Sequence, residues 1–321
     1  MKLFVTTKNL DYIRNVQEMA LLTRDNNGIP PDVIGSAAKG YLPRMAKVLF
    51  KLFTTRFSKY DEIFVGFAPQ LVIPLFAGRF KRYRAAGGRV TVDFFISVYD
   101  TLVNDRKKIK DRTAAAEFTR WLDRKALFMA DSIIVDTKAH GRYFTEEFGA
   151  RADKIRVLYL EADKSVYYPR GSKTHNKEKI VLYFASMLPL QGAEVVLEAA
   201  RLMKDMRGIR FVIIGPVKEK LIQDNITYID WLSQNELSDA IAEADLCLAG
   251  HFNGDIGKAS RTIPGKAYIY RAMEKPMILG DNTANREIFD ESQAGIGFCK
   301  MGDAQSLKSA ITSMLEKDVA E

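Results

Sequence analysis

The chain has 321 residues, 47% of them apolar and 27% charged, which suits two globular domains of roughly 150 residues each and excludes a disordered or fibrous protein. The net charge of +8 is uneven: residues 1–170 hold 30 Lys/Arg against 19 Asp/Glu, a net +11, and the remainder holds 18 against 21, a net −3. Within residues 39–89, 11 basic residues stand against 2 acidic ones, which points the first half at an anionic partner, either nucleic acid or an anionic membrane surface.

The chain opens on a strand-like KLFVT (2–6), which does not read as a signal peptide, and two cysteines in apolar surroundings suit a reducing cytoplasm, so a cytoplasmic protein is expected. Further strand-like runs follow at PDVIG (31–35), EIFVG (62–66), RVTVDF (89–94), SIIVD (132–136) and KIRVLYL (154–160), with helical stretches between them. YLPRMAKVLFKLFTTRF (41–57) has helical period, with Leu42, Met45, Leu49, Leu52 and Phe53 on one face and Arg44, Lys47 and Lys51 on the other. With the cluster Arg79, Lys81, Arg82 and Arg84, this basic face suits an anionic membrane surface, although a plain surface helix explains the apolar face equally well. The longest uncharged stretch, Ile63–Gly78, is shorter than the roughly 20 residues of a spanning helix and contains two prolines. It reads as a buried strand followed by a helix.

The polar YYPRGSKTHNKEK (167–179) reads as an interdomain linker. The alternation then restarts with KIVLYFA (179–185), IRFVIIG (209–215), ITYID (226–230), DLCLAG (245–250), KPMILGD (275–281) and AGIGFCK (294–300). Such βαβα repetition predicts an α/β protein of two Rossmann-like domains facing each other across a cleft. Residues 1–165 form the first domain, 166–178 the linker and 179–321 the second. Ligands of such sheets bind outside the carboxyl ends of the strands, so the loops there are the places to search.

After the strand 179–185 comes Ser186-Met187-Leu188-Pro189-Leu190-Gln191-Gly192 and then a helix. A glycine just before a helix lets a phosphate approach free N–H groups, or simply makes an ordinary turn. Neither a P-loop nor a complete G-x-G-x-x-G is present. After DLCLAG, the loop HFNGDIGKASRTIPGK (251–266) brings Lys258, Arg261 and Lys266 up to a helix start carrying Pro264 and Gly265. Cations there suit a diphosphate.

Here the residues carry a resemblance. FASMLPLQGAEVVLEAARLM, IDWLSQNELSDAIAEADLCLAG and RTIPGKAYIYRAMEKPMILGDNTANREIF resemble, in order and spacing, the C-terminal domain of retaining glycosyltransferases of family 4. Upstream, DFFISVYDTLVNDRKK and LDRKALFMADSIIVDTKAHGRYFTEEFG resemble a branch found among polysaccharide-building bacterial enzymes. The likeness spans about residues 90–315 and implies the GT-B fold, a nucleotide-diphosphate sugar as donor, retention of anomeric configuration and no metal or other cofactor. The family's usual Arg and Lys of its first segment fall at Ser186 and Gln191, and the two Glu of its E-x7-E segment at Arg261 and Ile269. Arg261 and Lys266 are therefore expected to hold the donor diphosphate from an IPxK loop, both solvent-accessible when no donor is bound, helped by the N–H groups near Gly192. Glu287 is a donor contact or a helix cap, and Trp231 stacks on the nucleobase or packs in the core. On the acceptor side, Tyr99, Asp100 and Arg106 follow the strand 89–94, with Asp100 orienting or deprotonating an acceptor hydroxyl, or simply forming a turn. His140 reads as structural, His175 lies in the linker and His251 opens the long loop; with Cys247 and Cys299, read as small buried hydrophobes, they show no metal-ligand spacing.

The expected function is transfer of a sugar to a glycan or lipid-linked acceptor in cell-surface polysaccharide synthesis, by an enzyme that is cytoplasmic or peripheral on the inner face of the membrane. The competing reading is a catalytically inactive GT-B-like subunit that binds a partner enzyme or a membrane. Nucleic-acid binding rests on charge alone, with no helix-turn-helix, zinc or RNP signature.

Overall fold

A computed structural model describes residues 1–171 and 178–317; His175 lies outside the described residues. The chain forms two compact units, Met1–Glu161 and Ala162–Glu321. All twelve strand-like runs are strands.

The first unit is a six-stranded sheet: β1 (Lys2–Val5), β2 (Asp32–Ile34), β3 (Glu62–Val65), β4 (Arg89–Asp93), β5 (Ser132–Val135) and β6 (Ile155–Val157), in the order β2-β1-β3-β4-β5-β6. Every pairing is parallel. Strands such as EIFV and SIIV are buried at every position, as expected where helices cover both faces of a sheet. Helix α1 (Ile13–Arg24) places Leu22 on one face against Phe4 and Phe64. The other four, α2 (Tyr41–Thr54), α3 (Ala77–Ala85), α4 (Ala114–Met129) and α5 (Lys138–Phe148), share the opposite core through Val48, Leu52, Phe80, Leu127 and Phe144. That division follows from topology: only the β1–β2 crossover runs toward the β2 edge, and right-handed crossovers running the other way put their helices on the other face.

Three local expectations change. The stretch Ile63–Gly78 gives β3, but Pro69–Leu71 is a 3-10 turn and α3 begins only at Ala77; Pro69 and Pro74, which cannot donate a helical N–H, hold the chain out of an α-helix. Helix α2 buries Val48 and Leu52, whereas Leu42 and Phe53, grouped with Leu52 on one apolar face, are 71% and 70% exposed. In the basic cluster, Arg79 donates to the carbonyls of Leu52, Phe53 and Thr55 at the end of α2, and Arg84 is paired with Asp131. These two arginines act inside the fold.

The second unit contains β7 (Lys179–Phe184), α6 (Ala193–Leu202), β8 (Ile209–Ile214), β9 (Ile226–Ile229), α7 (Gln234–Glu243), β10 (Leu246–Gly250), α8 (Gly257–Arg261), α9 (Gly265–Ala272), β11 (Met277–Gly280), β12 (Ile296–Cys299) and α10 (Ala304–Lys317). Its parallel sheet has the order β12-β11-β10-β7-β8-β9. Ser233 and Glu236 close a reciprocal cap on α7. Cys247 and Cys299 are buried as expected, and burial pushes both thiols up to about 12. Residues 162–170 belong to this unit, with Arg170 on Asp239 and the Val166 carbonyl accepting from Ser238.

Candidate functional site

In the second unit the strand order reverses between β7 and β10, which is where an open α/β sheet offers a crevice beyond its carboxyl ends. Two loops meet there. The loop after β7 makes a 3-10 turn, Pro189–Gln191, and enters α6 through Gly192 at φ +68. The loop after β10 crosses so close that a Cβ on Gly192 would lie 2.6 Å from the Asn253 nitrogen. Only glycine meets both demands. The loops are stitched together: Phe252 N–H donates to the Gln191 carbonyl (3.3 Å), and Asn253 Nδ2 donates to the Pro189 carbonyl (3.0 Å) and Glu194 (3.2 Å). Gln191 turns its side chain onto its own loop, accepting from Leu188 N–H at 2.8 Å and from Ser186 Oγ at 3.4 Å.

Helix α8 brings Arg261 to the same place. Leu190 of the turn packs with Ile256 and Ala259 of the α8 segment. Beyond β11, Asn282 Nδ2 donates to the Ala259 carbonyl (3.3 Å), while Asn282 Oδ1 accepts from Asn285 N–H (2.8 Å). Beneath α8, Thr262 Oγ1 reaches the Lys258 carbonyl and lies 3.4 Å from Nδ1 of buried His251. Arg261 is half-buried, and its guanidinium lies 2.7 Å from where a Cβ of Gly257 would stand, so that glycine leaves it room.

Lys266 behaves otherwise. Expected to be accessible, it is only 5% exposed, because its Nζ turns inward to the carbonyl of Phe184 at 2.7 Å and over the ring of Tyr183 at 3.9 Å. Burial pulls its ammonium well below the usual lysine range. It ties α9 to the end of β7 underneath the crevice. Ser186, Gln191 and Gly192 thus share one loop, the helix that ends at Arg261 packs on its turn through Ile256 and Ala259, and Lys266 bonds to Phe184 at the start of that loop. Trp231, expected to stack on a base or pack in the core, is 76% exposed and follows β9, the edge strand two places from β7. Glu287 is half-buried in a 3-10 turn at Asn285–Glu287. Its neighbour Arg286 is held by Asp281 and Glu291 and lies over Phe298 at 3.7 Å.

In the first unit, Tyr99 is buried, donates to Asp111 at 2.9 Å and carries the Arg120 guanidinium 4.1 Å over its ring. Asp100 is fully buried and accepts from Asn104 Nδ2 (2.9 Å) and Tyr143 OH (3.3 Å). Arg106 is exposed. His140 is buried with Nδ1 2.7 Å from Asp136. The loop 97–100 hangs on Asp123 of α4, which accepts from Ser97 Oγ (2.7 Å), Val98 N–H (3.0 Å) and Tyr99 N–H (2.9 Å). Burial pushes the Asp123 carboxyl up to about 6 despite those donors. A carboxyl raised from 3.8 to about 6 on folding binds more protons in the native state between those values, so its contribution to stability declines as pH rises through about 6. Melting curves of wild type and Asp123→Asn between pH 4 and 7 are expected to differ in slope over that window, the variant lacking the decline; parallel curves would show that this carboxyl does not titrate there.

The sequence reading missed a buried ionic cluster at the carboxyl ends of β1 and β4. Arg14 of α1, 1% exposed, donates to Asp93 at 2.9 and 3.4 Å and to the Leu158 carbonyl, and lies 3.3 Å from Glu18. Burial first, then the charge of Asp93, drives the Glu18 carboxyl far above the ordinary range. Above this cluster, Tyr12, Phe67 and Phe95 pack as an aromatic group with Lys8 5.1 Å from the Phe67 ring. Arg14 and Asp93 lie 79 residues apart, so no local pattern announces the pair.

Residues 178–317 match the family model described as Glycosyl transferases group 1. No curated protein matches the sequence. Among solved structures, the chain is similar to sucrose-phosphate synthase from Thermosynechococcus elongatus (13% identity, 98% of this chain and 89% of that one, TM-score 0.67). It is also similar to HepE of Anabaena in complex with UDP (15%, 99% and 90%, TM-score 0.64). A glycosyltransferase from Rickettsia africae resembles it at 11% identity, over 98% and 88%, with TM-score 0.58. At these identities the likeness is one of fold. The chain therefore has the two-domain α/β fold of GT-B glycosyltransferases, and its second unit is similar over residues 178–317 to the glycosyl transferases group 1 domain.

Proposed function

We propose that the protein transfers a sugar from a nucleotide-diphosphate sugar to a glycan or lipid-linked acceptor, with retention and without a metal ion. The observation that carries this reading is the β7/β10 switch point, where Gly192 opens α6 and the turn before it packs through Leu190 on Ile256 and Ala259 of the segment that ends at Arg261. As the glycosidic bond breaks, negative charge develops on the leaving diphosphate. A fixed guanidinium and the N–H groups at the start of α6 stabilise that charge without rearranging, which lowers the barrier with little need for a protein nucleophile. In this reading Arg261 is the catalytic cation, and Lys266 is a positioning residue that fixes the last carbonyl of β7. Asp100, locked between Asn104 and Tyr143, shapes the acceptor-side loop, and exposed Arg106 offers the charge there.

A second reading, a GT-B-like subunit without turnover, draws on the same loops: Ser186 and Gln191, standing where the family has Arg and Lys, are bonded to each other, and Lys266 is buried. A thermal-shift panel of UDP, GDP and ADP and their sugars, with and without EDTA, separates the possibilities. UDP comes first because HepE holds it. A native-state ligand at 100 times its Kd adds about 2.7 kcal/mol of stability, a shift easily read. The expected result is a rise with one nucleotide, unchanged by EDTA, together with release of that nucleotide from its sugar. No shift with any nucleotide would refute the donor site. A shift without turnover would favour the second reading, and a shift abolished by EDTA and restored by Mn²⁺ would overturn the metal-free mechanism.

A further inference from the structure

Helix α2 has three faces rather than two. Val48 and Leu52 point into the core. Arg44, Lys47 and Lys51 follow one another along a second face. Leu42, Phe50 and Phe53 recur along a third at helical spacing, 71%, 70% and 70% exposed. From Lys39 to Lys59 there is no acidic residue. The same helical layer carries a second aromatic stripe on α4. There Phe118 and Trp121 stack at 5.8 Å and, with Phe128, are 58%, 49% and 63% exposed beside Arg124 and Lys125. Because α2 to α5 share one core, both stripes lie on the outer side of the same layer. Between them runs α3 with exposed Lys81 and Arg82, and Leu75 just before it is 66% exposed.

Large apolar groups exposed in contiguous stripes mark an interaction surface. The charge around these selects the partner. A second copy of this chain would bring the same basic groups face to face in a two-fold pairing, which like-charge repulsion opposes. Aromatic rings set among cations match the headgroup region of an anionic bilayer, where rings enter between headgroups and cations stay at the phosphate level. Among the described residues no helix is long and apolar enough to cross a membrane, so any such contact made by them is peripheral. We infer that the outer side of the α2–α4 layer docks on an anionic membrane surface, with Phe50 and Phe53 entering among the headgroups. This differs from attraction by the basic cluster alone, since Arg79 and Arg84 are committed within the fold.

The test is sedimentation with phosphatidylcholine vesicles that contain or lack phosphatidylglycerol. Wild type is expected to bind the anionic vesicles at least about tenfold more tightly than the neutral ones, since each basic residue near the surface adds attraction, and to weaken with salt. Phe50→Ser with Phe53→Ser is expected to lower anionic binding by about tenfold or more, because the rings supply the buried area. Its melting temperature should be unchanged, since both rings are already in solvent. Trp231→Phe leaves Trp121 as the single tryptophan, and its emission should shift to the blue and resist aqueous quenchers on the anionic vesicles. The inference is overturned by absence of binding, by equal binding to both vesicle types, or by a double variant that binds like wild type. A concentration-dependent dimer that the double variant abolishes would also overturn it, assigning the face to a second copy.

Discussion

Arg14→Ala is expected to destabilise the first unit by about 3–5 kcal/mol, the usual cost of deleting one partner from a buried ion pair. The guanidinium is 2% exposed in its side chain and Asp93 opposite it is fully buried. Its loss leaves the Asp93 carboxylate without its counter-charge and the Leu158 carbonyl without its donor. Glu18→Gln is the control. Burial and Asp93 already drive the Glu18 carboxyl toward its neutral form, so an uncharged amide of the same shape should cost only about 1 kcal/mol, the value of one ordinary hydrogen bond. Calorimetry of the two variants checks the pair. A loss under about 1 kcal/mol for Arg14→Ala would mean that water reaches Asp93 and that the cluster carries little load.

Arg261→Ala and Lys266→Ala are expected to fail in opposite ways, although the sequence treats them alike. Removing Arg261 should slow transfer by roughly 30- to 1000-fold, the effect of about 2–4 kcal/mol of lost transition-state stabilisation, with a smaller fall in melting temperature than Lys266→Ala gives. Removing Lys266 should lower the melting temperature through a loss of about 2–4 kcal/mol, because a long buried side chain vanishes and the Phe184 carbonyl loses its donor. Lys266→Met, which refills the space, should recover most of that stability. The pH dependence gives an independent reading. Burial lowers the lysine below its ordinary 10.5, so between the lowered value and 10.5 the unfolded chain binds more protons than the folded one. Wild-type stability relative to Lys266→Met should therefore rise with pH across that window. Activity and melting temperature measured together decide the matter. Full activity in Arg261→Ala would move the diphosphate elsewhere, and an unshifted melting temperature in Lys266→Ala would return Lys266 to the site.

The local sequence determined the twelve strands, because each is a short β-branched or aromatic run bounded by turn residues, and a parallel strand buried on both faces needs only such a run. It also showed the turn at Gly192, since a glycine before an amphipathic helix is legible without any partner. The tertiary structure decided which way side chains face. Periodicity shows that α2 has apolar stripes, but only the packing of Val48 and Leu52 against the sheet chooses which stripe is buried and leaves Phe53 outside. Basic residues look alike in sequence, yet Arg79 spans to carbonyls 24 to 27 residues away and Lys266 to one 82 residues away. Arg14 meets Asp93 because strand order brings the ends of β1 and β4 together on either side of β3. A charge's role depends on what stands within a few ångströms of it, because Coulomb energy and desolvation are set by distance and burial. Those distances belong to the order of the strands, which a single sequence encodes only through the whole fold.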